Sequence, residues 1–173
     1  MVNLPPSRPP SGQCPLAVPG TPQTKFVRAR GVGMDADANR RFLASHDHLQ
    51  DLGITIDHQE EGRVVLSLPH DDSLANPGSE TMQGGVVATL IDHGGGAAIR
   101  TVLADPFETP HATTDLNVSY LRPATGDLTA EAEVVRAGTA MGVVAVDVTG
   151  DTPVGEKAVA TGRVSLHIKR DAD

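Results

Sequence analysis

One stretch limits the fold more than any other. It is Met82-Gln83-Gly84-Gly85-Val86-Val87-Ala88-Thr89-Leu90-Ile91-Asp92-His93-Gly94-Gly95-Gly96-Ala97-Ala98-Ile99-Arg100. It opens on a glycine pair, then runs apolar on nearly every face, with one carboxylate, Asp92, in the middle. A helix that is apolar all round is a buried helix. A carboxylate inside it is costly unless it is paired or put to use. The glycines at 94–96 weaken such a helix by up to about 1 kcal/mol each relative to Ala, and read as places where another backbone comes close. The rest of the chain must therefore cover this helix on most sides. Aromatic residues are only 2% and Trp is absent, so the covering falls to Val, Leu, Ile and Ala. That suits a sheet wrapped on a small helix.

The flanking segments supply the sheet. Ile54–Asp57 and Arg63–Leu68 alternate apolar and polar residues and predict two strands joined by a turn through Glu60, Glu61 and Gly62. Residues 69–80 read as a loop containing the turn signal Asn76-Pro77-Gly78. After the central helix, expected to run to about Leu103, strands are predicted over Thr113–Leu121, Leu128–Arg136, Gly142–Thr149 and Lys157–Ile168. Ahead of the first strand, Asp35–Leu52 predicts one helix, capped by Asp35 or Asp37 and stopped by Gly53. The order helix, two strands, helix, four strands gives an α+β fold with an antiparallel sheet around one long helix. At 173 residues the chain supports one domain, assigned to residues 34–170. Residues 1–33 hold seven prolines in their first 22 positions and no apolar period. They read as a disordered tail, or as residues ahead of a true start at Met34.

Composition narrows the partners. Net charge is −8 without a basic cluster, which argues against nucleic acid and anionic membranes. One cysteine, Cys14, builds no disulfide framework. No apolar run is long enough to span a bilayer, and the first residues lack the apolar core of a signal peptide. A cytoplasmic protein is the simplest reading. Searches for a nucleophile elbow, a phosphate loop, a dinucleotide fingerprint and zinc spacing find nothing. The His and Asp residues at 46–48 read as a solvated polar face rather than as metal ligands.

Gly85 and Asp92 stand seven residues apart, close to two helical turns. They share a face yet lie about 10 Å apart along the axis. The Gly84 and Gly85 amides, at the positive end of the helix, are suited to polarising a carbonyl oxygen. Asp92 is suited to activating water or to direct attack. One helix cannot bring both to one small group. Two antiparallel copies related by a two-fold axis would, each placing its Asp92 near the other's Gly85.

The same residues carry a resemblance. The stretch is similar to the signature of the hotdog-fold acyl-CoA thioesterases of the PaaI-like (phenylacetic acid degradation-related) group: an Asn, a short loop, His-Gly-Gly, then an acidic residue nine positions after that His. Asn76, Gln83-Gly84-Gly85 and Asp92 hold those places here. Thr113-Thr114-Asp115-Leu116-Asn117-Val118-Ser119-Tyr120-Leu121-Arg122-Pro123-Ala124 resembles the family's third strand and its Tyr-x-x-Pro-Ala turn. The likeness spans roughly Leu52 to His167.

The resemblance implies a hotdog fold, hydrolysis of an acyl-CoA to a free acid and coenzyme A, no metal or redox cofactor, and a homodimer or a dimer of dimers. It gives Asp92 the role of general base or nucleophile, and Gly85 that of amide donor to the thioester oxygen. Gln83 or Asn76 would help polarise the carbonyl, and Thr113 would hold the attacking water. Gln83 departs from the family's His; it still hydrogen-bonds but cannot change charge. That departure keeps open a second reading, a non-catalytic acyl-CoA-binding protein. Arg122 and Arg136 are candidates for the coenzyme A phosphates, against a plainer reading as surface arginines. The plainer readings elsewhere are a structural Asp92, glycines that serve packing, an Asn-Pro turn at Asn76 and an ordinary β-branched strand residue at Thr113. His93, about 100° round the helix from Asp92, reads as an interface or buried polar residue. The small residues at 94–98 suggest room for an aromatic or medium-chain acyl group.

Overall fold

The computed structural model describes residues 37–152 and 155–169. The tail expected over residues 1–33 lies outside them. Two short helices, α1 (Ala38–Ala44) and α2 (Asp47–Asp51), precede strands β1 (Thr55–Glu60) and β2 (Arg63–Leu68). The long helix α3 (Gly84–Arg100) follows, then β3 (His111–Tyr120), β4 (Leu128–Ala137), β5 (Met141–Gly150) and β6 (Lys157–Ile168). The strands form one antiparallel sheet in the order β1-β2-β4-β5-β6-β3. This is the α+β hotdog arrangement, with α3 lying on the curved face.

Alternation explains the seating. Val64, Leu66 and Leu68 of β2, Leu128, Ala130 and Ala132 of β4, and Val144, Val146 and Val148 of β5 are fully buried on one face. Leu90, Ile91, Ala97, Ala98 and Ile99 of α3 meet them. Each buried Leu, Ile or Val contributes about 1.5–3 kcal/mol, enough in sum to hold a helix carrying three glycines. Those glycines work differently from the expectation. A side-chain carbon at Gly95 would stand 2.7 Å from Val164, and one at Gly94 would touch Ala132 and Leu66 at 3.4 Å. At these two positions sheet side chains fill the space, and at Gly96 the Arg100 guanidinium does.

The expected helix over Asp35–Leu52 is two helices. Ser45 Oγ donates to the Phe42 carbonyl, and His46 adopts an extended backbone with its Nδ1 2.8 Å from the same oxygen. Those bonds end α1 locally. Of the two expected caps, Asp37 occupies the N-cap but makes no side-chain cap bond, and Asp35 falls outside the described residues. Gly53, at φ +74°, closes α2 as expected. The helix α3 stops at Arg100 rather than near Leu103. Thr101 Oγ1 donates to the Ala98 carbonyl and accepts from the Gly62 amide, tying that end to the β1–β2 turn. The loop from Pro69 includes a short 3-10 turn at Asp72–Leu74.

Strand β3 is an edge strand bonded to β6 alone, and most of its residues are exposed. Thr113 pairs with Leu166 and Asp115 with Ser165, which leaves Thr114 as an extra, bulged residue. A bulge re-aims neighbouring side chains. Here it brings Thr113 to face α3, while the Thr114 hydroxyl donates to the Ser165 carbonyl.

Candidate active site

Asp92 sits half-buried on α3. The Thr113 hydroxyl donates to its Oδ1 across 2.7 Å. Both residues line a cavity of about 650 Å³ bounded by α1, α2, α3 and the segment leading into β3. Its apolar lining includes Phe42, Leu49, Ala88, Phe107, Leu116 and Leu166. Of the small residues at 94–98, Gly96 alone lines it. The others are packed against the sheet, so the room expected beside them is already filled.

At the other end of α3, Gln83 is the N-cap, and its Oε1 accepts from the Val86 amide at 3.2 Å. Its Nε2 is left to donate elsewhere. The Gly84 and Gly85 amides have no carbonyl four residues back within the helix, and donate to nothing among the described residues. Gly85 is exposed. Asn76 spends its Nδ2 on the Thr81 carbonyl at 3.1 Å, which orders the loop into the helix. The Tyr120 hydroxyl donates to the Gly84 carbonyl at 2.7 Å. Asn76, Gly84, Tyr120 and Arg122 line a second cleft, of about 400 Å³. Arg122 Nη1 donates to the Ala158 carbonyl. Arg136 is exposed on β4 and lines neither cavity.

The predicted residues thus fall into two groups within one chain. Asp92 and Thr113 belong to the large cavity; Asn76, Gly84 and Arg122 belong to the cleft. The two cavities share no lining residue. Gln83, Gly85 and Arg136 line neither.

Sequence reasoning missed the buried polar cluster at the far end of the large cavity. Arg100 is only 4% exposed. Its Nε donates to Asn39 Oδ1 at 2.7 Å, and Asn39 Nδ2 donates to the Ala97 carbonyl. Arg100 Nη1 lies 3.2 Å from His111 Nε2, and the guanidinium lies 3.7 Å over the Phe42 ring. Burial draws its pKa down to about 10, so it stays a cation at neutral pH. His93 is buried against Phe42, in agreement with its reading as a buried polar residue. Burial first, then the Arg100 charge, pushes its pKa down to about 3. Burial likewise lowers that of His111. The available signal was an arginine in the last turn of an otherwise apolar helix.

Residues 80–164 match the model of the Thioesterase superfamily. A protein of Halobacterium salinarum that carries a provisional esterase designation is 43% identical over 149 residues, 81% of this chain and 99% of its own length. One of Saccharolobus solfataricus, similarly designated, is 30% identical over 112 residues, 64% of this chain and 77% of its own length. The crystal structure of a thioesterase family protein from Silicibacter pomeroyi superposes with a TM-score of 0.72 at 28% identity, covering 77% of this chain and 96% of that one. The matched segment runs from the loop before α3 into β6 and so contains the Asp92–Thr113 pair. On fold and sequence together, the chain belongs to the thioesterase superfamily.

Proposed function

We propose that the protein is an acyl-CoA thioesterase of the PaaI-like group, hydrolysing an acyl-CoA to a free acid and coenzyme A. The observation that carries this reading is the Asp92 carboxylate, held by the Thr113 hydroxyl at 2.7 Å beside a large, mostly apolar cavity. The hydroxyl spends its proton on Asp92 and keeps lone pairs to accept from a water. Asp92 takes a proton from that water as it attacks the thioester carbon. The developing oxyanion meets the Gly85 amide at the N-terminus of α3, where the helix dipole favours negative charge. Collapse of the intermediate expels the coenzyme A thiolate.

Because Asp92, in the middle of α3, lies about 10 Å along the axis from Gly85 at its start, the working site is built from two copies, each giving Asp92 to the other's Gly85. The exposed edge strand β3, with Leu116 at 38% and Tyr120 at 55% exposure, supports a homodimer or a dimer of dimers. No helix among the described residues is long and apolar enough to cross a membrane. Arg122, beside Gly84 and Tyr120, is positioned for a coenzyme A phosphate. The test is thiol release over a panel of acetyl-, medium-chain, phenylacetyl- and hydroxybenzoyl-CoA by wild type and Asp92→Asn. Turnover that collapses in a folded Asp92→Asn supports the reading.

The second reading, a non-catalytic acyl-CoA-binding protein, is favoured by Gln83, whose side chain is partly engaged as a helix cap. Binding of acyl-CoA with no turnover by either protein would select it.

A further inference from the structure

Among the described residues two buried side-chain nitrogens have no hydrogen-bond partner, His93 Nε2 and Arg100 Nη2. Both residues line the Asp92 cavity. Orphaned buried nitrogens are rare in native folds, and each one calls for an account; that of Arg100 is a donor, and that of His93 donates or accepts according to its tautomer. Truncating or unpairing a buried charge costs far more than an exposed one, yet among the described residues no carboxylate pairs with Arg100. Its partners are an amide oxygen, an imidazole nitrogen and an aromatic ring.

The cavity lining is charge-balanced where the chain as a whole is acidic. The protein carries a net charge of −8. Among the described residues the cavity lining holds one arginine, Arg100, one acid, Asp92, and His46, His48, His93 and His111. Gly96 sets the position of the cation. A side-chain carbon there would stand 3.3 Å from Arg100 Nη1 and 3.7 Å from Nη2, so the guanidinium folds back along α3 over Gly96. Gly96 is one turn beyond Asp92, about 6 Å along the axis. A cation thus stands a short acyl length from the carboxylate that would start the chemistry. Asn39, bonded to both the Ala97 carbonyl and Gln59, holds the guanidinium in that place.

We infer that Arg100 is a specificity-determining residue which receives the terminal carboxylate of a short ω-carboxyacyl group, so that the preferred thioester is that of a dicarboxylic acid. This rests on the thioesterase reading above, and names its acyl class. A carboxylate there would give the guanidinium the charge partner that the protein withholds, and charge-assisted bonds of this kind are among the strong ones.

The experiment compares glutaryl-CoA with pentanoyl-CoA, matched in length, as substrates of wild type, Arg100→Lys and Arg100→Met. Wild type is expected to favour glutaryl-CoA in kcat/KM, with the difference in KM. Arg100→Met is expected to lose about 30-fold or more on glutaryl-CoA while keeping or gaining activity on pentanoyl-CoA, and Arg100→Lys to keep part of the preference. A wild-type preference for pentanoyl-CoA, or an unchanged ratio in Arg100→Met, would overturn the inference. If Arg100→Met does not fold, the wild-type ratio decides alone. Absence of hydrolysis of either thioester would leave the enzymatic reading to the wider acyl-CoA panel and this inference to binding. Equilibrium binding of the same two thioesters to Asp92→Asn then decides it: tighter glutaryl-CoA binding upholds the assignment, and equal or weaker binding refutes it.

Discussion

Gln83 Oε1 lies 2.6 Å from where the first side-chain carbon of any residue replacing Gly85 would stand. The capping amide and the donor amide therefore occupy one crowded corner. Gly85→Ala would push the Gln83 side chain off the Val86 amide. Loss of one oxyanion donor costs roughly 10²–10³ in kcat, and displacement of the cap misaligns that donor. The expected result is a fall in kcat of at least about tenfold with the melting temperature little changed, read by steady-state kinetics alongside thermal unfolding.

Thr113 gives its proton to Asp92, so the pair acts as a unit. Thr113→Val keeps the strand's branched shape and removes the hydroxyl. It should lower kcat by about tenfold or more, within the range of a positioned general acid–base contribution, and leave KM nearly unchanged. In an Asp92→Asn background the same change should cost almost nothing, because effects within one catalytic unit do not add. Full additivity in that double-mutant cycle would separate the two residues.

Neighbouring glycines of α3 should respond in opposite directions. At Gly94 an added carbon meets Ala132 and Leu66 at 3.4 Å, an ordinary contact, and Ala gains up to about 1 kcal/mol of helix propensity over Gly. At Gly95 the carbon would lie 2.7 Å from the branched Cβ of Val164, and overpacking of this sort costs about 1–3 kcal/mol. Urea titration should therefore show Gly94→Ala equal to or more stable than wild type, and Gly95→Ala less stable.

Stability should weaken in mild acid. In the folded protein the pKa of His93 is held near 3, and that of His111 also lies below the ordinary 6.5. The unfolded chain takes up protons at these positions as pH falls through about 6.5, while the folded chain does not. Their contribution is complete above that value and declines below it, by up to about 1.4 kcal/mol per pH unit for each group. Denaturant midpoints from pH 7.5 down to 5 should fall, and His93→Leu should make the decline shallower. An unchanged slope in that variant would show that His93 is protonated in the folded state.

The strands were legible because alternation and burial agree: β2 and β6 fall at the predicted residues, and the other strands differ by a few residues at their ends. The core helix was legible from its uniform apolarity. The break between α1 and α2 was not, since it depends on Ser45 and His46 turning back onto one carbonyl, a choice that helix propensity does not show. At the site, the resemblance pointed to Asp92 and Thr113 separately, but neither their direct hydrogen bond nor the bulge that delivers it was legible. The Arg100 cluster joins residues 39, 100 and 111, and only the tertiary fold brings them together.

The extra residue at Thr114 works as a frame shift within β3. Residues ahead of it and residues behind it keep opposite parity, so the strand can present Thr113 to α3 and still hold the register with β6 from Asp115 to Tyr120. Length changes in the loop before His111 would be absorbed by that loop. Deleting Thr114 itself would leave Thr113 opposite Leu166 and Asp115 opposite Ser165, whereas a deletion elsewhere in the strand would slip one of the two runs by a residue. Apart from Thr114, this segment therefore tolerates changes of side chain far better than changes of length.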